Sequence, residues 1–365
     1  MSGSDTTRLN AVQEALKGVV DPNTGRDFVS TKQLRNLRVE AGDVSFDVEL
    51  GYPAKSQIPV LRKALIAAAR SVGGVENVSA NVTVKVVAHA VQRGVQLLPK
   101  VKNVIAVASG KGGVGKSTTT VNLALASEGA RVGILDADIY GPSQPMMMGI
   151  EGRPESTDGQ TMEPLENYGV QVMSIGFLVD ADNPMIWRGP MATQALEQLL
   201  RQTNWDELDY LLVDMPPGTG DIQLTLSQRV PLTGAVIVTT PQDIALLDAR
   251  KGLKMFEKVG VPILGIVENM AVHVCEKCGH AEHIFGADGG RRMAEEYKVD
   301  YLGALPLNLS IRVQADAGRP TVVSDPDGEV AGIYKAVART VAIKVAAKAK
   351  DFSSKFPTIS ISKNT

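Results

Sequence analysis

The sequence predicts an α/β fold with a mostly parallel sheet covered by helices on both faces. Short segments that are apolar at every position alternate with segments of helical spacing, which is typical of parallel strands buried on both faces. A glycine-rich stretch at residues 110–118 stands between the first such strand and a helical segment, where a helix N-terminus can bind phosphate. These two patterns together predict an α/β domain with a phosphate-binding loop.

A smaller α/β unit precedes this domain. Residues 9–19 and 58–72 carry apolar side chains at helical spacing, which predicts two helices. Strict alternation over 44–50 predicts a strand with one buried face, and further strands are predicted at 37–40 and 82–86. The order α-β-β-α-β therefore predicts a compact module.

The larger domain is predicted to contain six strands buried on both faces. They lie at residues 104–108, 131–135, 170–173, 210–213, 235–238 and 263–267. Helical spacing recurs between them and over 329–348, where the apolar face lacks the large aromatic anchors of membrane-surface helices, so we expect this last helix to pack on the sheet. The predicted division is a small α/β domain (1–95), a linker (96–102), the larger α/β domain (103–349) and an unstructured tail (350–365).

Composition narrows the class of protein. A chain of 365 residues with 44% hydrophobic content can bury a full core, and its length suggests two domains. The net charge of -2 leaves no surplus of Lys and Arg, so we expect no nucleic-acid partner. The polar first residues do not resemble a signal peptide, and no uncharged apolar run is long enough to cross a bilayer. We therefore expect a cytoplasmic protein without a membrane partner.

The glycine-rich stretch matches the pattern G-x-x-x-x-G-K-S/T. In this pattern the glycines leave backbone N–H groups able to surround phosphate oxygens, Lys116 supplies a cation to the outer phosphates, and the Ser117 hydroxyl can ligate Mg²⁺. The predicted nucleotide-binding residues of the loop are Gly110, Lys111, Gly112, Gly113, Val114, Gly115, Lys116, Ser117 and Thr118.

A second lysine, Lys111, directly follows the first glycine of the loop. The sequence K-G-G-V-G-K-S-T resembles the signature-lysine subgroup of P-loop ATPases, which includes nitrogenase iron protein, the Min and Par proteins and the Mrp/ApbC iron-sulfur carriers. In that subgroup the additional lysine reaches across a dimer to the nucleotide of the partner. The resemblance implies a homodimer in which Lys111 joins Lys116 in catalysis.

Acidic or amide side chains end three of the predicted strands, where parallel-sheet enzymes place their chemistry. Asp136 and Asp138 follow one strand, and Asp214 follows another. Asp214 comes after four apolar residues, the Walker B arrangement, and is predicted to hold Mg²⁺ directly or through water. The resemblance implies that Asp138 positions the attacking water. It also implies that Asn269 hydrogen-bonds adenine, for which an amide offers a donor and an acceptor.

Both cysteines of the chain belong to one C-x-x-C pair, Cys275 and Cys278. Two thiolates at this spacing can bind one metal ion or one edge of a cluster. With His280 and His283 the pair can complete a tetrahedral zinc site, and without another partner it can act as a thiol redox pair. Two thiolates cannot complete a four-cysteine cluster within one chain, but a symmetric dimer supplies four.

Four motifs together resemble the Mrp/ApbC family of ATP-dependent iron-sulfur cluster carriers. They are D-A-D-I-Y-G-P-S from Asp136, W-R-G-P-M from Trp187, D-M-P-P-G-T-G-D from Asp214 and E-N-M-x-x-H-x-C-x-x-C-G-H-x-x-x-I-F-G from Glu268. The resemblance covers residues 103–347. Residues 21–27, D-P-N-T-G-R-D, in turn resemble the small domain that is often fused to iron-sulfur assembly factors.

This resemblance implies a P-loop ATPase that uses ATP and Mg²⁺, holds a 4Fe-4S cluster between two subunits through Cys275 and Cys278, and transfers it to apo-proteins. Its implied partners are a second copy, an upstream assembly scaffold and apo iron-sulfur proteins. Two alternatives stay open: a Min/Par-type ATPase that organises on membrane or DNA, and a zinc-binding metallochaperone. The helix after Ser117 is about two residues shorter than in the family, which turns its far end by about 200° and predicts that this end repacks.

Overall fold

The computed structural model describes residues 3–92, 94–179, 189–275 and 277–348. The predicted tail at 350–365 and the first two residues of the W-R-G-P-M motif lie outside the described residues. The chain divides into two compact units. The smaller one comprises Met1–Val86 with Ser127–Ala130 and Ala338–Ala346, and the larger one comprises Val87–Ala126 and Arg131–Val337 with the end of the chain. The domain limits given above stay a prediction.

The smaller unit has the predicted order α-β-β-α-β. Its elements are α1 (Gly3–Lys17), β1 (Leu34–Glu40), β2 (Asp43–Leu50), α2 (Ile58–Arg70) and β3 (Asn77–Val84). The central strand β2 pairs antiparallel with β1 and parallel with β3. Its Val44, Phe46, Val48 and Leu50 are all buried, as the alternating pattern predicts.

Glu128 joins three segments within the smaller unit. Its carboxylate accepts hydrogen bonds from the backbone N (2.8 Å) and Oγ (2.9 Å) of Ser56 and from Nη2 of Arg339 (3.0 Å). Burial alone raises the pKa of Glu128, but the Ser56 hydrogen bonds and the Arg339 charge outweigh it, so the pKa is lowered. The carboxylate therefore stays charged and holds 127–130 and 338–346 to the unit.

The larger unit follows the predicted alternation of strands and helices. Its first half contains β4 (Val101–Ala108), α3 (Lys116–Leu125), β5 (Val132–Asp136), α4 (Gln144–Met147), β6 (Leu165–Asn167), β7 (Val170–Ser174), α5 (Gly189–Gln202) and β8 (Leu208–Asp214). It continues with α6 (Asp221–Arg229), β9 (Gly234–Thr239), α7 (Asp243–Lys258), β10 (Ile263–Glu268), β11 (His273–Val274), β12 (Ala281–Glu282), α8 (Gly289–Tyr297), β13 (Tyr301–Ala304), α9 (Leu309–Asp316) and α10 (Thr321–Ser324). The last helix, α11 (Glu329–Ala346), belongs to the larger unit up to Val337 and to the smaller unit from Ala338.

Eight strands of this unit form one sheet in the order β13-β10-β9-β4-β8-β5-β7-β6. All neighbours are parallel except β6, which pairs antiparallel with β7 at the edge. The six predicted strands are confirmed, and β5, β7 and β9 are buried at every position. The two edge strands, β6 and β13, were not predicted, because they are short and only partly buried.

The last helix, α11, buries one face. Ala331, Tyr334, Val337, Val341 and Val345 are all at most 6% exposed. A Cβ on Gly303 of β13 would lie 3.1 Å from Val337, so the part of α11 that belongs to the larger unit contacts the edge strand of the sheet. In the described part of the chain, no helix combines the length and apolar character needed to cross a membrane.

Candidate functional site

The glycine loop lies between the end of β4 and the start of α3, at the carboxyl edge of the parallel strands. Gly113 and Gly115 both have φ of +80°, which L side chains rarely adopt. A Cβ on Gly110 would lie 2.1 Å from the backbone carbon of Asp248 in α7, so only glycine fits there. The local sequence therefore dictates a loop whose backbone amides can face a ligand.

A cleft of about 210 Å³ opens beside this loop. It brings together most of the predicted nucleotide-binding residues with Asp138. The lining residues are Ser109, Lys111, Gly112, Gly113, Val114, Gly115, Lys116, Ser117, Thr118, Asp138, Ser143, Met147 and Pro217. The two lysines of the loop and the aspartate of the following strand end thus share one concave site.

Lys116 and Asp214 form a buried ion pair at the base of the cleft. Lys116 Nζ lies 2.6 Å from Asp214 Oδ1, and the two side chains are 6% and 0% exposed. The same carboxylate oxygen accepts a hydrogen bond from Thr120 Oγ1 at 3.0 Å. Lys116 Nζ also lies 3.3 Å from Ser117 Oγ. The Walker lysine therefore contacts both the serine hydroxyl and the Walker aspartate, although 98 residues separate it from the aspartate.

Gln144 completes the surroundings of Asp214 and was missed by the sequence analysis. Its Nε2 donates to Asp214 Oδ2 (3.0 Å) and to the carbonyl oxygen of Ser117 (3.1 Å), and its backbone N donates to Asp136 Oδ2 (3.1 Å). The residue is fully buried, and its Oε1 makes no hydrogen bond among the described residues. The amide follows the D-A-D-I-Y-G-P-S motif directly, which is the one signal in the sequence that pointed to it.

The two aspartates after β5 have different surroundings. Asp136 is fully buried and accepts hydrogen bonds from Ser174 Oγ (3.0 Å) and from the backbone N of Asp138 (3.2 Å). Burial raises the pKa of Asp136, and the Asp214 carboxylate raises it further. Burial also raises the pKa of Asp138, which lines the cleft. Asp136 is thus a support for the site, while Asp138 reaches the space where a ligand would lie.

These residues fit a magnesium nucleotide. The backbone amides of the glycine loop and Lys116 are suited to phosphate oxygens. The Ser117 hydroxyl and the Asp214 carboxylate are suited to Mg²⁺, which prefers oxygen ligands. The buried carboxylate of Asp214 already receives three protein donors, from Lys116, Thr120 and Gln144. If Lys116 turns toward phosphate, Asp214 Oδ1 loses one of its two donors and keeps the Thr120 hydroxyl.

Asn269 contacts the glycine loop from the end of β10. Its Nδ2 donates to the carbonyl oxygen of Val114 at 2.9 Å, and a Cβ on Gly115 would lie 2.1 Å from that nitrogen. Its backbone N donates to Thr239 O at 2.7 Å, which fixes the strand end. The structure therefore gives Asn269 a bracing contact with the loop, and the expected adenine contact stays a prediction.

The two cysteines lie at the tip of a small hairpin that follows β10. Strands β11 and β12 pair antiparallel, with His273 opposite Glu282 and Val274 opposite Ala281. Within the tip, the backbone N of Cys275 donates to His280 O (2.9 Å), and Gly279 N donates to Cys275 O (2.8 Å). Cys275 is half-buried, Cys278 is exposed, and no disulfide joins them. The hairpin thus presents both thiols at one surface.

Histidines stabilise the base of this hairpin. His273 Nδ1 lies 3.0 Å from Leu307 O, and His283 Nδ1 lies 2.7 Å from Ala271 O. Within residues 3–92, 94–179, 189–275 and 277–348, no three His, Cys, Asp or Glu side chains are grouped so that they could hold a metal ion.

Two family models match this chain, one over the larger unit and one over the smaller unit. A family model described as NUBPL iron-transfer P-loop NTPase matches residues 100–342, and one described as iron-sulfur cluster assembly protein matches residues 9–82. An iron-sulfur cluster carrier protein of Escherichia coli is 61% identical over 248 residues, covering 67% of each chain. One of Haemophilus influenzae is 48% identical over 339 residues, covering 92% of each chain.

Solved structures show the same architecture. A nucleotide-binding protein of Archaeoglobus fulgidus in complex with ADP is 39% identical, with a TM-score of 0.55, and the match covers 63% of this chain and 90% of that one. The cell division ATPase MinD of Pyrococcus furiosus is 23% identical, with a TM-score of 0.50 over 66% of this chain and 98% of that one, which supports the fold alone.

The match of the family model to two thirds of the chain, together with these relatives, confirms the predicted resemblance and the predicted fold class. The phosphate-binding loop, the Walker carboxylate and the C-x-x-C hairpin all lie within the matched residues. The chain belongs to the NUBPL iron-transfer family of P-loop NTPases, the iron-sulfur cluster carriers.

Proposed function

We propose that the protein is an ATP-hydrolysing carrier that binds a 4Fe-4S cluster between two copies of the chain and transfers it to apo-proteins. The observation that carries the proposal is the position of the thiols. Cys275 and Cys278 lie on a hairpin that begins at the end of β10, the same strand end from which Asn269 contacts the phosphate loop. A nucleotide site and a metal-binding thiol pair are thus built on one strand end.

The nucleotide side supports ATP hydrolysis. Bound Mg²⁺ supplies charge neutralisation at the outer phosphates. Lys116 would bind the phosphates, Ser117 and Asp214 would hold the metal, and Asp138, which lines the same cleft, would orient the attacking water. In a dimer, Lys111 reaches the nucleotide of the partner. Each of these side chains except the buried Asp214 lines the same cleft.

The thiol side supports a shared cluster. A 4Fe-4S cluster takes four thiolates, and the chain has two cysteines in all. A symmetric dimer that brings two hairpin tips together supplies four equivalent ligands. The exposed position of Cys278 suits a cluster that is handed on to an acceptor protein. The partners of this cytoplasmic carrier are then an upstream scaffold and apo iron-sulfur proteins.

Anaerobic reconstitution tests the cluster. We expect about four iron atoms per dimer, an absorption spectrum typical of 4Fe-4S clusters, and transfer to an apo-ferredoxin. Cys275→Ser and Cys278→Ser should each prevent cluster retention, whereas His280→Ala and His283→Ala should retain it. Stoichiometric zinc that resists iron reconstitution and decreases in the histidine variants would favour a zinc metallochaperone instead.

Lys111→Ala tests the dimeric role of the second lysine. We expect nucleotide binding by the monomer to be preserved, because the phosphate-facing amides and Lys116 remain, whereas ATP-dependent dimerisation and hydrolysis are lost. Sedimentation with and without ATP measures the first effect, and phosphate release measures the second. Unchanged ATP hydrolysis in this variant would contradict a role for Lys111 in catalysis.

A further inference from the structure

Glu268 is a buried carboxylate at the end of β10, and the functions proposed above do not use it. It is 2% exposed, and its Oε2 accepts a hydrogen bond from the backbone N of Gly290 in the first turn of α8. Burial raises the pKa of Tyr301, and the Glu268 charge nearby raises it further. A buried carboxylate with a backbone donor at a helix N-terminus is favourably placed, because the helix dipole stabilises its charge.

The chain packs closely around this contact. A Cβ on Gly290 would lie 2.9 Å from Glu268 Oε2, and a Cβ on Gly289 would lie 2.6 Å from Pro241 O. Gly290 therefore lets α8 begin against the end of β10, and Gly289 lets it begin against Pro241, which follows β9. Leu305 N donates to Glu268 O at 2.8 Å, which fixes the backbone of the strand end from the other side.

This contact closes the base of the cysteine loop. The segment between Glu268 and Gly290 contains the whole hairpin with both cysteines. Glu268 is the residue at which the chain enters this segment, and Gly290 lies where it leaves. One hydrogen bond from side chain to backbone thus joins the two ends of the loop that presents the thiols.

The next residue, Asn269, makes the corresponding contact on the nucleotide side, from its Nδ2 to Val114 O at 2.9 Å. Successive side chains at a strand end point in opposite directions. The end of β10 therefore contacts the phosphate loop through Asn269 and the exit of the cysteine loop through Glu268. Any shift of Val114 on nucleotide binding would therefore act, through these two consecutive residues, on both ends of the hairpin segment.

We propose that Glu268 is a positioning residue that couples the nucleotide loop to the cysteine hairpin. This inference rests on the proposed function, since it concerns how its two sites communicate. Coupling between two sites of one protein is commonly about 5- to 150-fold in affinity and is carried by packed, hydrogen-bonded contacts. The geometry points to Glu268 because its side chain bonds the start of α8, where the hairpin segment ends, from the same strand end that holds Asn269 against the phosphate loop.

Thiol labelling of the cluster-free protein tests this proposal. The chain has two cysteines, so every labelled thiol belongs to the hairpin. We expect saturating Mg-ATP to change the maleimide labelling rate of the wild type at least threefold. In Glu268→Ala the ratio of the labelling rates with and without Mg-ATP should be about one, and the ATP affinity should lie within threefold of the wild type. Glu268→Gln keeps an oxygen acceptor for Gly290 and should restore the ratio.

Glu282→Ala is the matched control, because it removes an exposed carboxylate from β12 of the same hairpin and should keep the wild-type ratio. A wild-type ratio of one, or a full nucleotide effect in folded Glu268→Ala, would overturn the proposal. If Glu268→Ala does not fold, hydrogen exchange at the Gly290 amide of the wild type decides, since unchanged protection on adding Mg-ATP overturns the proposal as well. These measurements are made on the cluster-free protein, so their outcome does not depend on whether the protein binds or transfers a cluster.

Discussion

Lys116 Nζ lies 2.6 Å from Asp214 Oδ1 in a pair that is almost wholly shielded from water. The lysine expected to bind phosphate and the carboxylate expected to hold magnesium are thus paired with each other in this structure. Their attraction offsets the desolvation of both charges. Nucleotide binding must therefore replace this ion pair with contacts to phosphate and metal. Removing either residue alone is expected to destabilise the fold, because the other charge stays buried.

Lys116→Ala should abolish ATP hydrolysis. It should also reduce the free energy of unfolding by about 3 kcal/mol, which is the lower end of the cost of breaking a buried ion pair, because Thr120 and Gln144 still donate to Asp214. Both tryptophans lie in the larger α/β domain, and Trp205 is 3% exposed, so fluorescence in urea follows that domain. Adding Asp214→Asn should recover most of the stability without the activity. Wild-type hydrolysis in the single variant would show that this loop is not catalytic.

The stability of the larger unit should decrease as pH rises through the titration of Asp136. Its folded pKa lies above the ordinary value of 3.8, so the native state binds more protons than the unfolded state in this window. The contribution is complete below pH 3.8 and is lost as pH rises through the folded pKa. Asp136→Asn should flatten the decline between pH 4.5 and 8, measured by the urea midpoint of tryptophan fluorescence. Equal slopes in both proteins would contradict the assignment.

Gln144→Met should raise the Mg²⁺ concentration for half-maximal hydrolysis about tenfold, equivalent to about 1.4 kcal/mol. The change removes the donors to Asp214 and Ser117 while preserving side-chain length. It also removes the buried Oε1 that lacks a hydrogen bond among the described residues, so we expect only about 1 kcal/mol of lost stability. Gln160→Met, the same change at an exposed turn, is the control. An unchanged magnesium dependence would assign Gln144 to packing alone.

Gly110→Ala should lower nucleotide affinity and stability together, because the new Cβ would overlap the backbone of Asp248 and force α7 to move. Overpacking of this kind costs about 1 to 3 kcal/mol. Gly141→Ala adds the same methyl group where no atom lies within 4 Å, and it should bind nucleotide as the wild type does. Calorimetric ADP binding and the urea midpoint compare the two variants, and equal behaviour would exclude the steric argument.

The parts of the site that follow a repeating pattern were predictable. Strand ends next to a glycine loop place Asp138 and Lys116 at one edge, because parallel strands share their carboxyl ends. Gln144 and Glu268 were not predictable as site residues, since their roles depend on where a four-residue helix and the exit of a loop meet the sheet. No periodicity marks such long-range contacts. Asn269 was chosen for its amide, but the sequence does not show that its N–H meets Val114.

The smaller unit is built from three separate segments of the chain, which has a consequence for its synthesis on the ribosome. Its sheet and its helices α1 and α2 are complete by Val84, but Glu128 and Arg339 also belong to it. During translation this unit therefore lacks part of its ion pairs and buried contacts until most of the nucleotide domain has emerged. Residues 338–346 of α11 come last, so the unit that is translated first receives its final contacts at the end of translation.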